Sequence, residues 1–93
     1  MKDVERKLAK LSGQDVAYVG EISDLHRFLF QRPGKPSHWL YVNRALISDG
    51  GDDIVVERFE EFKQYLKESR SQTVTLTSNG VISVWPDRLR KPR

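Results

Sequence analysis

The residues best suited to chemistry in this sequence are two histidines, His26 and His38, and the arginines near them in the chain. A histidine that acts as a base and an arginine that stabilises developing negative charge are the groups that a metal-independent ribonuclease needs. Arg27, Arg32 or Arg44 could fill the second role. No spacing among these residues meets the requirements of a catalytic site, so we assign no catalytic residues. We favour a non-enzymatic protein and keep the ribonuclease as a third hypothesis.

The sequence gives little support for a metal site. His26 and His38 would lie on neighbouring strands of a hairpin and could approach each other, with Asp24 as a third ligand, but no ligand-spacing motif is present. The chain has no cysteine, which removes thiolate ligands and disulfides. The acidic stretch "DGGDDIVVERFE" lacks the spacing of a calcium loop and instead favours a solvated turn before a helix. We therefore expect no metal and no cofactor.

The densest mixture of aromatic and basic residues runs from His26 to Arg44 and contains no acidic residue. Cations that contact phosphates and rings that stack on bases are the usual components of a nucleic-acid surface. The leading expectation is therefore a small binding or regulatory domain that recognises nucleic acid, without a preference between DNA and RNA. The predicted nucleic-acid-binding residues are Arg27, Arg32, Lys35, Trp39, Tyr41, Arg44, Arg88, Arg90 and Lys91.

Protein recognition is the alternative. In the predicted C-terminal hairpin, alternate residues place several threonines and one tryptophan on the same face, and tryptophan is a frequent interface anchor. The predicted protein-interface residues are Thr73, Thr75, Thr77 and Trp85. The hypothesis covers an inhibitor, immunity or adaptor type of protein, and a homodimer that pairs through an exposed strand edge.

The totals are compatible with one small globular domain. The 93 residues carry a net charge of +3, and 31% of them are charged. The segment from Pro86 to Arg93 holds four bases and one acid. No apolar run approaches the length of a membrane span, and the charged start "MKDVERKLAKL" has no signal-peptide core. We therefore expect a cytoplasmic protein with no membrane partner.

Apolar spacing predicts the first half of the fold. Val4, Leu8 and Leu11 recur at helical spacing before Gly13, which predicts a short helix. "DVAYVG" predicts a strand. The alternation in "HRFLFQ" and "HWLYVN", on either side of the turn sequence "RPGKPS", predicts a hairpin whose phenylalanines face the core. A helix over residues 22–31 remains the alternative.

The second half follows from the same reasoning. Val55, Phe59, Phe62 and Leu66 form one stripe of a second helix. "TVTLTSNGVISVW" predicts a hairpin with a three-residue loop, which pairs Leu76 with Ile82 and places Gly80 at positive φ. The predicted order is α-β-β-β-α-β-β, an α+β domain with about five mostly antiparallel strands and two helices. It covers residues 1–86, and residues 87–93 form a basic tail that we expect to be flexible.

Overall fold

Five strands form a single sheet, and helical segments connect and cover them. The structure is a computed structural model that describes residues 1–84. In chain order its elements are α1 (Lys2–Ser12), β1 (Asp15–Ile22), β2 (Leu25–Gln31), β3 (His38–Asn43), α2 (Arg44–Gly50), α3 (Ile54–Glu57), α4 (Phe59–Phe62), a 3₁₀-helix (Lys63–Lys67), β4 (Thr73–Thr77) and β5 (Gly80–Val84). The strands lie side by side in the order β1-β2-β3-β4-β5. The predicted α+β class and its order of elements are confirmed, with several short helical segments in place of one second helix.

Helix α1 packs on the sheet through Val4 and Leu8 of the predicted apolar stripe, whereas Leu11 is 51% exposed. Val4 and Leu8 are buried, and Gly13 ends the helix with a φ of 71°. The N–H of Gly13 donates to the carbonyl of Ala9 at 2.9 Å. Because a side chain disfavours this left-handed conformation, the glycine determines where the helix ends.

Strands β1 and β2 are joined by a tight two-residue turn. Ser23 and Asp24 both have positive φ, at 50° and 65°. Two left-handed central residues define the hairpin turn whose twist matches that of the flanking strands, and aspartate tolerates this conformation better than most residues. Residues 25–31 are therefore strand, and the helical alternative for this segment is wrong.

Strands β2 and β3 form the hairpin predicted around "RPGKPS". They pair antiparallel along their length. The N–H of Lys35 donates to the carbonyl of Arg32 at 3.1 Å and closes the turn. Phe28 and Phe30 have no exposed surface, so their predicted place in the core is confirmed.

The predicted approach of the two histidines is wrong. In the β2–β3 register, His38 lies opposite Phe30, whereas His26 lies opposite Val42. The two histidines are thus at opposite ends of the hairpin, about 13 Å apart at the strand rise of about 3.3 Å per residue. They are separated because three residues of β2 lie between the pair that contains His26 and the pair that contains His38.

The connection from β3 to β4 carries the other helices. These two strands pair in parallel, with Trp39 opposite Thr73 and Val42 opposite Leu76, so the chain must cross over between them. The four residues of the predicted helical stripe are all buried, as expected: Val55, Phe59, Phe62 and Leu66.

This predicted helix is divided rather than continuous. Arg58 separates α3 from α4 with φ −99° and ψ 16°. Its guanidinium donates to the carbonyl of Thr77 at 2.6 Å and to the carboxylate of Glu61 at 2.6 and 2.9 Å. The side chain therefore ties the break in the helix to the end of β4. Helix α2 has no counterpart in the sequence prediction.

The predicted register of the C-terminal hairpin is wrong. Leu76 pairs with Val81 instead of Ile82, and Thr77 pairs with Gly80. The Thr77 hydroxyl accepts from the N–H of Asn79 at 3.2 Å and donates to the carbonyl of Gly80 at 2.9 Å. These bonds close the loop over residues 78 and 79 alone, and Gly80 keeps the expected positive φ, at 131°. Ile82 consequently turns to the outer face, where 56% of it is exposed.

The core lies between the helical segments and one face of the sheet. Its fully buried strand positions alternate along β2, β3 and β4: Phe28, Phe30, Leu40, Val42, Val74 and Leu76. Within residues 1–84, no helix is long and apolar enough to cross a membrane. The predicted basic tail, residues 87–93, lies outside the described residues.

Candidate binding face

The opposite face of the sheet is the candidate functional site, and we call it the open face. Successive strand residues point to opposite sides, so the residues between the buried positions of the core form this second surface. Within the described residues, no helix packs over it, and most of its members are partly or fully exposed. The open face consists of Ala17, Arg27, Leu29, Trp39, Tyr41, Thr73, Thr75, Thr77 and Ile82.

Arg27, Trp39 and Tyr41 form the centre of the open face. Arg27 lies directly opposite Tyr41 on the neighbouring strand. Its guanidinium carbon is 5.9 Å from the centroid of the Trp39 ring, a cation–π distance. The Trp39 and Tyr41 rings meet edge to face with centroids 6.1 Å apart. The three predicted residues are therefore brought together in one packed cluster.

A bulge in β1 holds the guanidinium of Arg27 in place. The register of β1 shifts between Tyr18 and Gly20, which turns two consecutive carbonyls towards Arg27. Its Nη2 donates to the carbonyl of Val19 at 3.2 Å, and its Nε donates to that of Gly20 at 3.4 Å. The Arg27 side chain is thus positioned by the fold before any partner arrives.

Exposed aliphatic side chains flank this cluster. Val19 in the bulge is 41% exposed, Ile22 at the end of β1 is 53% exposed, and Ile82 on β5 is 56% exposed. In the described part of the chain, the other large hydrophobic residue with comparable exposure is Leu11 on α1. Exposed apolar groups that gather around aromatic residues mark an interaction surface more often than scattered ones do.

Two sets of residues that the sequence assigns to different partners share this face. Arg27, Trp39 and Tyr41 come from the predicted nucleic-acid set, and Thr73 and Thr75 come from the predicted protein interface. Thr75 lies opposite Tyr41, and Thr73 lies opposite Trp39. The predicted interface residue Trp85 lies outside the described residues.

The remaining predicted cations lie elsewhere. Arg32 lines a cavity on the helical side of the sheet. Lys35 is exposed at the tip of the β2–β3 turn. Arg44 contacts the carboxylate of Glu21 at 3.3 Å and pairs with Asp24 across the β1–β2 turn. Arg88, Arg90 and Lys91 fall outside the part of the chain that the structure covers.

The charge of the chain is divided unevenly. Residues 1–84 contain twelve basic and twelve acidic side chains, whereas residues 85–93 contain four basic and one acidic. The described domain therefore has no formal net charge, and the last nine residues account for the whole excess of +3. A general electrostatic attraction for a phosphate backbone would therefore come mainly from the charges of that segment.

His26 belongs to a hydrogen-bonded network beneath the β1–β2 turn. Burial, and after it the charge of Glu21, raises the pKa of Tyr18, so its hydroxyl keeps its proton. That hydroxyl is hydrogen-bonded to Nδ1 of His26 at 2.7 Å, and Nε2 of the same ring lies 4.0 Å from the Glu21 carboxylate. A phenol with a raised pKa is a poor nucleophile, so the network is better suited to holding the turn than to catalysis.

His38 is fully buried and bonded at both ring nitrogens. Nδ1 accepts from the N–H of Gln72 at 3.3 Å, and Nε2 donates to the carbonyl of Glu68 at 3.2 Å. It is therefore out of reach of a substrate. Among residues 1–84, no group of three or more acidic and histidine side chains is arranged to hold a metal ion. The ribonuclease hypothesis remains a prediction without a site in the described geometry.

Comparison with protein-family models, with curated proteins and with solved structures finds no match. The open face itself must therefore carry the functional argument. The sequence predicted Arg27, Trp39 and Tyr41 as binding residues without assigning them to a face of the sheet, and it did not single out Leu29 or Ile82. Leu29 could have been found, because it alternates with the phenylalanines of β2, whereas Ile82 depended on the register.

Proposed function

We propose that this protein is a non-enzymatic binding module that recognises a protein partner through the open face. The main support is the packed cluster of Arg27, Trp39 and Tyr41 in the middle of a sheet face that no helix of residues 1–84 covers. Arginine, tryptophan and tyrosine are the residues that most often dominate binding energy at protein interfaces. The partner that fits has apolar side chains around one carboxylate, which would lie over Arg27.

Charge and ring geometry favour a protein over a nucleic acid. The described domain has no formal net charge, so it offers little general attraction for a phosphate backbone. Arg27 already occupies one side of the Trp39 ring, and the edge-to-face contact with Tyr41 leaves no pair of parallel platforms for successive bases. Nucleic-acid binding, with the basic segment after residue 84 as its main cation source, is the competing proposal.

The area of the face limits the kind of complex. Strands lie about 4.8 Å apart and five residues span about 17 Å, so five strands present roughly 400 Å². A standard interface covers about 800 Å² on each partner. The open face alone therefore supports a small, reversible interface. We place this interaction in the cytoplasm, because a chain without cysteine suits a reducing compartment.

A photo-crosslinking experiment followed by reconstitution tests the proposal. A photoreactive amino acid at Thr75 reports on the open face, and the same group at Glu60 on the helical side is the matched control. We expect discrete protein adducts at Thr75 that disappear in the Trp39→Ala variant. The purified partner should then bind the wild-type protein at least about tenfold more tightly than Trp39→Ala or Arg27→Ala, which corresponds to about 1.4 kcal/mol.

A salt-dependent mobility shift decides between the two classes of partner. The probes are mixed-sequence single-stranded RNA and DNA, tested with wild type and with Arg27, Arg32 and Lys35 each changed to alanine. Binding that falls steeply with salt, without protein adducts at Thr75, would refute the proposal in favour of nucleic acid. Adducts that persist unchanged in Trp39→Ala would also refute it.

A further inference from the structure

A cavity of about 430 Å³ lies on the helical side of the sheet, away from the open face. We call it the Gln14 cavity. Its floor is formed by buried groups of Gln14, Phe59 and Leu66, and its rim is exposed. Its volume falls within the range of about 300–1,000 Å³ that is typical of small-molecule sites. The lining residues are Leu11, Ser12, Gln14, Arg32, Phe59, Glu60, Lys63, Leu66 and Lys67.

Two residues of the lining each carry a buried polar atom that has no hydrogen-bond partner within residues 1–84. Gln14 is only 8% exposed, and its Nε2 donates to the carbonyl of Leu66 at 3.2 Å. Because a carbonyl can only accept, this bond identifies which amide atom is the nitrogen and which is the oxygen. Oε1 is therefore an acceptor that requires a donor. Within residues 1–84, neither Oε1 of Gln14 nor Nε of Arg32 has a hydrogen-bond partner. Buried polar groups are nearly always bonded to protein, ordered water, an ion or a ligand, so these two atoms are the groups of the lining with unused hydrogen-bonding capacity.

The charge of the lining indicates what kind of ligand fits. Lys63 pairs with Glu60 at 2.7 Å, which neutralises both. Arg32 and Lys67 remain, and neither has an ion-pair partner among the described residues. The cavity thus has two uncompensated cations beside the apolar surfaces of Phe59 and Leu66. An anionic oxygen bonded to an arginine gives the strongest type of hydrogen bond available here.

We propose that the Gln14 cavity binds a small organic anion. Its carboxylate or phosphate oxygen accepts from Nε of Arg32, a hydroxyl group donates to Oε1 of Gln14, and an apolar portion lies on Phe59 and Leu66. Lys67 at the rim adds attraction for the anion. This proposal is independent of the open face, and either can hold without the other.

A titration followed by ¹⁵N NMR on the full chain tests this site. The probes are mandelate, which has a carboxylate, a neighbouring hydroxyl and a ring, and phenyl phosphate; benzyl alcohol is the neutral control. We expect saturable shifts of the Gln14 side-chain amide and the Arg32 Nε–H with a dissociation constant in the millimolar range or below. The stronger of the two probes identifies the anionic group as carboxylate or phosphate.

Substitutions inside and outside the Gln14 cavity distinguish specific binding there from weak, nonspecific attraction to surface cations. We expect Arg32→Gln to weaken binding about tenfold or more, since it removes the charge-assisted bond. Gln14→Met keeps the size of the side chain and should also weaken binding. Lys67→Gln, on an exposed residue, should weaken it without affecting the fold, and Lys35→Gln outside the cavity should have no effect.

Three results would overturn the proposal. The first is the absence of saturable shifts at Gln14 and Arg32 up to about 20 mM of both anions, where even weak sites are detected. The second is equal binding of benzyl alcohol, which would indicate an apolar cavity alone. The third is undiminished affinity in both Arg32→Gln and Lys67→Gln with well-dispersed spectra.

Discussion

Replacing His38 with phenylalanine should lower the stability of the protein and remove one cause of its loss of stability in acid. The buried imidazole bridges the N–H of Gln72 and the carbonyl of Glu68, which requires a neutral ring with its proton on Nε2. Burial is the main cause that lowers the pKa of His38 below its ordinary 6.5; the carbonyl of Glu68 opposes it, and Arg32 lowers it further. The folded protein therefore resists protonation of this ring more than the unfolded chain does.

The sign of the pH dependence follows from this difference. Below pH 6.5 the unfolded chain takes up a proton that the folded chain does not, so the unfolding free energy falls as the pH falls. The contribution of His38 to the unfolding free energy is fully present well above pH 6.5, where the ring is neutral in both states. It is lost progressively as the pH falls from 6.5 towards the lowered pKa of the folded state, and the difference between the two pKa values sets the size of the loss.

Urea unfolding at a series of pH values measures both effects. At pH 7.5 the His38→Phe variant should be about 2 kcal/mol less stable than wild type, because the buried hydrogen bond from the N–H of Gln72 to Nδ1 of His38 is lost. The difference between the two proteins should shrink as the pH falls from 6.5 to 5.5. Tyr41→Phe on the open face is the control and should follow wild type at every pH. A difference that stays constant across this range would refute the reasoning.

Two further substitutions test local features of the fold by thermal or urea unfolding. Asn43→Ala should lower the unfolding free energy by about 1 kcal/mol, because the Asn43 side chain accepts from the N–H of Ala45 at 2.8 Å at the start of α2. Ser48→Ala in the same helix is the control and should be close to neutral. Gly80→Ala should lower the unfolding free energy by about 1 kcal/mol or more, because φ is 131° and an added Cβ would meet no atom within 4 Å, which leaves backbone strain as the cause. A neutral Gly80→Ala melt would contradict that explanation.

Periodic burial made most of the fold predictable. Phe28 and Phe30 alternate with residues of the other face because β2 has one buried side, and the pattern is visible in the sequence alone. The stripe from Val55 to Leu66 was visible for the same reason. Its division at Arg58 was not, because the cause is a tertiary hydrogen bond to the carbonyl of Thr77.

The errors arise where burial is not periodic. Helix α2 has no fully buried residue, so it produces no stripe, and it depends on the cap at Asn43. The register of β4 and β5 was predicted on the assumption that one face is polar, yet the exposed Ile82 shows that the outer face is also apolar. The candidate site was predictable where strand alternation applied, as for Trp39 and Tyr41. The position of Arg32 on the helical side of the sheet was not predictable, because the conformation of the β2–β3 turn determines where its side chain points.

The parallel pairing of β3 with β4 has a consequence for how the chain reaches its native state. Every other strand pair is a hairpin between neighbours in sequence, but Trp39 and Thr73 are 34 positions apart. Closing a loop of that length costs conformational entropy before any contact compensates for it. The three-stranded unit of β1, β2 and β3 and the hairpin of β4 and β5 can therefore form early and independently, and the pairing of β3 with β4 should limit the folding rate. Until β3 and β4 pair, the edges that they present are exposed to other chains, so this is the period in which aggregation competes most strongly with folding.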